Sequence, residues 1–246
     1  MILRHQPFQR RRAAFSCVLF DMDGTLLDSA PGVTASAASA LHAVGVPVPP
    51  ETDLLRLVGP PMLESFRKYL GHDEAAAQRA LKHYRQAYAD AGAQQSVPYA
   101  GIPEMLEYLR LAGVPMAVAT SKAEDQAVRM ARRFGMDHYF TAICGASDQD
   151  GRWSKAEVIA VVLERMRYAN VDASNPVMVG DRSFDVEGAS GHRIPAIFAS
   201  WGYGGAGEEA GAAAVAASPA AVLAAVMGWE AAPGMTSEAS VASPRP

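Results

Sequence analysis

The chain has 246 residues, with 22 Lys plus Arg against 26 Asp plus Glu and a formal net charge of −4. That length suits one large domain, or a core carrying a smaller one, and the charge balance gives no reason to expect nucleic acid as a partner. No apolar run approaches the roughly 20 residues that cross a bilayer, so no membrane partner is expected.

Arg4 and Arg10 to Arg12 give the start a basic character. The apolar stretch behind them is short and runs into Asp21 and Asp23 without a small-residue cleavage site, so it does not read as a secretory signal. Residues 1–13 are expected to be a disordered extension. Cys17 and Cys144 each sit inside an apolar stretch, which suits buried thiols in a cytoplasmic protein better than a disulfide.

From Phe15 onward, short apolar runs end in polar residues and are followed by helical spacing. Phe15–Phe20 ends at Asp21, Val114–Ala119 at Thr120, and Val177–Val179 at Gly180-Asp181; Ala142–Cys144 and Ala196–Ala199 are weaker cases. Apolar runs without alternation mark strands covered on both faces. Ile102, Met105, Leu106 and Leu109 have helical spacing, as do Ile159, Val162, Leu163 and Met166. The alternation predicts an α/β fold: a doubly wound parallel sheet with its ligand site at the carboxyl ends of the strands.

The alternation breaks between Ser29 and Tyr99. Helices are predicted instead over Pro31–Val44, Met62–Leu70 and Glu74–Ala91, with Leu81, Tyr84 and Tyr88 on one face and Pro/Gly clusters between them. The expected organisation is a core of residues 14–28 and 100–229, a small helical domain of residues 29–99 inserted after the first strand, and a disordered Ala/Ser/Gly/Pro tail over 230–246.

Asp21 and Asp23 stand two positions apart at a strand tip, where their repulsion calls for a cation; magnesium takes one or two carboxylates together with phosphate oxygens. Ser121 with Glu124 reads as a capping box, leaving the Thr120 hydroxyl free to face a phosphate. Ser154 with Glu157 reads as another, which puts Lys155 at the first helical position, against the positive end of the helix dipole. A cation placed there points to an anion facing it. Asp181 and Asp185 would share an edge if the segment were helical. Lys122, next to Thr120, is read as a surface or structural residue, with a second phosphate contact as the alternative, and Gly202–Gly205 as a loop near the site entrance. The histidines lack metal-ligand spacing, so zinc is not expected.

Phe20-Asp21-Met22-Asp23-Gly24-Thr25-Leu26-Leu27-Asp28-Ser29 resembles the first motif of the haloacid dehalogenase superfamily, in its phosphoglycolate-phosphatase-like branch. Thr120, Lys155 and Gly180-Asp181-Arg182-Ser183-Phe184-Asp185 match the second, third and fourth motifs in order. The resemblance implies a Rossmann-like core under a helical cap and a magnesium-dependent phosphatase acting on a small phosphorylated metabolite. Asp21 would be the nucleophile and Asp23 the acid and base. Thr120 and Lys155 would bind phosphate; Asp21, Asp181 and the Asp23 carbonyl would hold the metal, with Asp185 supporting it directly or through water. A phosphoglycolate-like substrate is expected first, with nucleoside monophosphates or a phosphomutase reaction as alternatives. Because no catalytic position is lost, a non-catalytic binding role is disfavoured. Specificity is expected from the insert, through Leu57–Met62 and Arg56, Arg67 or Lys68.

Overall fold

The computed structural model describes residues 13–229; residues 1–12 of the expected 1–13 extension and the expected 230–246 tail lie outside the described residues. Ala13, expected in the extension, packs partly buried against the core. In the core, β1 (Cys17–Phe20), β4 (Met116–Ala123), β5 (Phe140–Ala146), β6 (Pro176–Gly180), β7 (Ala196–Ala199) and β8 (Ala214–Ala216) form one sheet in the order β5-β4-β1-β6-β7-β8. All its pairings are parallel. The order runs outward in both directions from β1, which makes the tips of β1, β4 and β6 the switch point where a ligand crevice opens.

Alternate β1 residues serve opposite layers. Val18 and Phe20 pack with α5 (Ile102–Ala112), α6 (Glu124–Arg133) and α9 (Pro219–Val226). Cys17 and Leu19 pack with α7 (Lys155–Tyr168) and α8 (Ser183–Gly191). Two-sided burial explains why these strands read as unbroken apolar runs. Both cysteines are buried and unbridged.

The segment after β1 leaves the sheet through β2 (Leu27–Asp28) and returns through β3 (Val97–Pro98), which pair antiparallel. Between them lie α1 (Ala30–Ala43), α2 (Glu51–Leu55), α3 (Met62–Tyr69) and α4 (Glu74–Asp90). These helices have a core of their own, built from Val33, Leu41, Leu54, Phe66, Leu81, Tyr84 and Tyr88 among others. The five-residue α2 was not anticipated, being too short to show periodicity. β8 was missed as well, because its Ala-Val-Ala sequence lies in an alanine-rich stretch without a strand signature. Among the described residues, no helix is long and apolar enough to cross a membrane.

Candidate active site

Strand β1 delivers Asp21 at its tip, and the chain then folds back sharply. The amides of Leu26 and Leu27 donate to the Met22 carbonyl at 3.0 and 2.9 Å, with Gly24 at a φ of 87°. Met22, Leu26 and Leu27 are fully buried beneath this turn, so apolar packing fixes the position of the carboxylates above it.

Asp21, Asp181 and Asp185 each offer a carboxylate oxygen within 4.8 Å of the others, and all three are buried. Asp181 follows β6 in a bend and is not helical, so the helical i, i+4 argument does not apply. Asp185 belongs to the first turn of α8, where Oδ2 accepts from the Arg182 amide at 3.1 Å. Strand tip and helix start bring the two acids together by another route. Asp181 accepts from the Thr25 hydroxyl at 3.1 Å and from the Tyr203 amide at 2.8 Å. A Cβ at Gly24 or Gly202 would overlap the Asp181 side chain, so both glycines make room for this carboxylate.

Lys155 stands at the first position of α7, behind the Ser154–Glu157 capping box. Its Nζ lies 2.8 Å from Asp21 Oδ1, 2.7 Å from Asp185 Oδ1 and 3.0 Å from the Ala119 carbonyl. Burial works against the Lys155 charge, but Asp185 and Asp21 outweigh it and hold the ammonium protonated. Burial pushes the Asp21 carboxyl up to about 6, with Lys155 opposing and Asp185 and Asp23 reinforcing the rise. Burial, then Asp21 and Asp185, raise Asp181 well above the ordinary range. Three carboxylates thus face one ammonium, and the excess negative charge in a water-poor site calls for a divalent cation. Each of the three clustered ligand atoms is a carboxylate oxygen, the kind that magnesium takes. The Asp23 carboxylate lies outside this cluster.

The structure corrects the reading of β4. The strand continues to Ala123, and α6 begins at Glu124 without a side-chain cap. Glu124 instead binds Arg152 and Arg165, so Ser121 and Glu124 form no capping box. Thr120 is nevertheless buried at the site; its oxygen accepts from the Lys122 amide at 3.3 Å, which leaves its proton for another acceptor. Lys122 is not a surface residue. It is 8% exposed, with Nζ 2.7 and 3.0 Å from the two Asp23 oxygens and 4.4 Å from the Tyr88 ring centroid. Period two along the strand puts Thr120 and Lys122 on one side; placing the strand end at Ala119 hid that signal.

The helical insert closes over these residues. Arg85 of α4 reaches Asp148 of the core through two bonds of 2.7 and 2.9 Å, and the Arg182 guanidinium donates to the Val58 carbonyl. A cleft of about 1030 Å³ opens between insert and core, lined among others by Arg56, Lys68, Trp153, Lys155 and Phe184. Arg67 does not line it: its guanidinium is taken by Glu64 and Glu74 of the insert itself. Tyr203, read only as part of an entrance loop, has its phenol at the junction where the insert begins. An isolated tyrosine between glycines carried no sequence signal for that role.

Over 187 residues, 76% of its length, the chain is 44% identical to the tyrosine-protein kinase PtkA of Mycobacterium tuberculosis, and the match spans 62% of that protein. It is 38% identical over 187 residues to a 5'-nucleotidase of Pseudomonas aeruginosa, spanning 76% of this chain and 83% of that one. The solved structure of a predicted phosphatase from Clostridium acetobutylicum superposes with a TM-score of 0.79 at 34% identity, covering 85% of this chain and 96% of that one. Haloacid dehalogenase-like hydrolases are matched as a family over residues 18–199, with the strand tips that carry the acidic cluster inside that range. The chain belongs to the haloacid dehalogenase-like hydrolase family.

Proposed function

We propose that this chain is a magnesium-dependent phosphatase that cleaves small phosphomonoesters through an aspartyl phosphate on Asp21. One observation carries the reading: two buried aspartates two residues apart are held by different lysines, Asp21 by Lys155 and Asp23 by Lys122. Neighbouring acids with separate partners suit separate tasks.

Lys155 occupies Asp21 Oδ1, which leaves the other oxygen to attack phosphorus. The ester P–O bond breaks as the Asp21 O–P bond forms, and Asp23, having taken up a proton from solvent when the substrate binds, gives it to the departing alkoxide. Asp23 then takes a proton from water, which attacks the same phosphorus and returns Asp21 as a carboxylate with release of phosphate. The Thr120 hydroxyl and the Lys155 ammonium, which would give up one of its present acceptors to the substrate, are the donors for the phosphoryl oxygens, and the closed insert limits access of bulk water. Magnesium, held by Asp21, Asp181, Asp185 and the Asp23 carbonyl, would offset phosphate charge.

The resemblance of the first motif points to a phosphoglycolate-like substrate, whose carboxylate Arg56 or Lys68 could receive. A second reading, a nucleoside monophosphate, is favoured by the size of the cleft and by Trp153 and Phe184 on its wall; the 5'-nucleotidase relative agrees with it. Purified protein assayed with magnesium against 2-phosphoglycolate, nucleoside monophosphates and p-nitrophenyl phosphate decides between them. Borohydride reduction of the working enzyme should convert Asp21 to homoserine. Failure to hydrolyse any ester would overturn the reading, and ATP-dependent labelling of a tyrosine-containing protein in the same assay would replace it with the activity that names the mycobacterial relative.

A further inference from the structure

Lys122 has a defined chemical setting that the reaction above does not use. Among the described residues, it supplies the hydrogen bonds to both oxygens of the Asp23 carboxylate. Burying an ammonium costs free energy unless its charge is paired. Asp23 pairs it on one side, and the π face of Tyr88 stabilises it on the other. Burial opposes the Lys122 charge, but Asp23 outweighs it and keeps the group protonated.

The neighbouring site cation is committed elsewhere. Lys155 serves Asp21, Asp185 and the Ala119 carbonyl. Asp21 and Asp23 sit two residues apart on a tight turn, so their carboxylates would otherwise compete for the same cation. Lys122 engages both Asp23 oxygens, and this carboxylate lies outside the Asp21–Asp181–Asp185 cluster. Its side chain comes from β4, the strand that carries Thr120, so the donor to phosphate and the holder of Asp23 share one rigid element.

We propose that Lys122 is the positioning residue of Asp23: it holds the carboxylate clear of the acidic cluster in the free enzyme, and releases one oxygen to carry the proton for the leaving group when substrate binds. The inference rests on the reading of Asp23 as proton donor. It predicts a signature that a merely structural lysine would not give. Loss of proton donation hurts esters with poor leaving groups far more than those whose leaving group departs unaided.

The test measures kcat/KM, which reports steps up to the first irreversible one, for aryl phosphates from 2,4-dinitrophenyl through p-nitrophenyl to phenyl. Asp23→Asn should lose about 100-fold or more on phenyl phosphate and only a few-fold on the dinitrophenyl ester. Lys122→Met should show the same trend, with roughly tenfold or greater loss on phenyl phosphate, and Lys122→Arg should recover most of it. In the Asp23→Asn background, Lys122→Met should add nothing. Equal loss on every ester, or further loss in the Asp23→Asn background, would overturn the proposal. If Asp23→Asn itself shows no leaving-group trend, the proton-donor assignment falls instead. Should Lys122→Met unfold by leaving Asp23 unpaired, the double variant removes both charges, and comparison with Asp23→Asn still decides the question.

Discussion

The phenol of Tyr203 donates to Asp28 Oδ1 at 2.7 Å, tying a core loop to the point where the chain leaves for the helical insert. The phenol oxygen of Tyr203 accepts in turn from the amides of Ser29 at 2.7 Å and Ala30 at 3.0 Å. The Tyr203 amide holds Asp181 at 2.8 Å. One residue therefore spans the acidic cluster and the start of the insert.

Tyr203→Phe keeps the ring and the amide but removes the phenol's bonds to Asp28, Ser29 and Ala30, together with its hydrogen bond to Tyr99. Two backbone amides and a carboxylate lose a partner, which should cost about 1–3 kcal/mol. Chemical denaturation measures that loss, and limited proteolysis should cut faster around residues 28–31. Magnesium affinity should change little, because the Asp181 contact comes from the backbone. Unchanged cutting and unchanged stability would show that the junction is held by other contacts, such as the β2–β3 pairing.

Asp21→Asn should abolish turnover of every phosphomonoester while leaving the protein folded, because an amide cannot form the acyl phosphate. Lys155 keeps Asp185 and the Ala119 carbonyl as partners, and the cluster loses one unit of crowded negative charge. The metal-free variant should therefore melt no lower than the parent near neutral pH. Circular dichroism and a panel assay check both parts, and normal hydrolysis by the folded variant would remove Asp21 from the reaction.

Magnesium should be required, and calcium, with its looser coordination, should inhibit. The pH dependence follows from the direction of the shifts. The Asp21 carboxyl lies near 6 in the folded protein against an ordinary 3.8, and Asp181 is raised as well. Between those values the folded state holds protons that the unfolded state has released. Stability of the metal-free protein should therefore fall as pH rises through that window. Magnesium competes for the ionised carboxylates, so the gap in Tm between magnesium and chelator should widen from about pH 5 to about pH 7. A gap independent of pH, or full activity in excess chelator, would contradict the assignment.

Much of this arrangement is legible in the sequence because burial on both faces leaves strong patterns. Strands β1 and β6 announce themselves as apolar runs, and their polar ends carry two of the three clustered aspartates. The Ser154–Glu157 cap placed Lys155 correctly because a capping box is a local interaction. Ser121–Glu124 has the same local spacing, yet tertiary contacts won: Arg152 and Arg165 claim Glu124, and β4 runs on to Ala123. Lys122 and Tyr203 were illegible for a related reason. Their partners, Asp23 and Asp28, lie 99 and 175 residues away, a distance over which single-sequence periodicity carries no information. Arg67 looked like a cleft cation, but Glu64 and Glu74 neutralise it on the insert's own surface.

The substrate prediction moves accordingly from Arg67 to Lys68 and Arg56, which line the cleft. If either meets a charged group on the substrate, its replacement by Ala should cost about 1.5–3 kcal/mol, roughly ten- to a hundredfold in kcat/KM. Hydrolysis of p-nitrophenyl phosphate, which has no carboxylate or second phosphate, should change by much less. Arg67→Ala should leave the ratio of the two activities unchanged, because its guanidinium bonds within the insert and does not face the cleft. Pro61, which lines the cleft beside Pro60, shapes its wall, so Pro61→Gly should also shift preference between substrates of different size. The measurement is kcat/KM for each variant on the best substrate of the panel and on p-nitrophenyl phosphate. If Lys68→Ala, Arg56→Ala and Pro61→Gly all lose the two activities in equal proportion, the insert does not select the substrate and the specificity must come from the core.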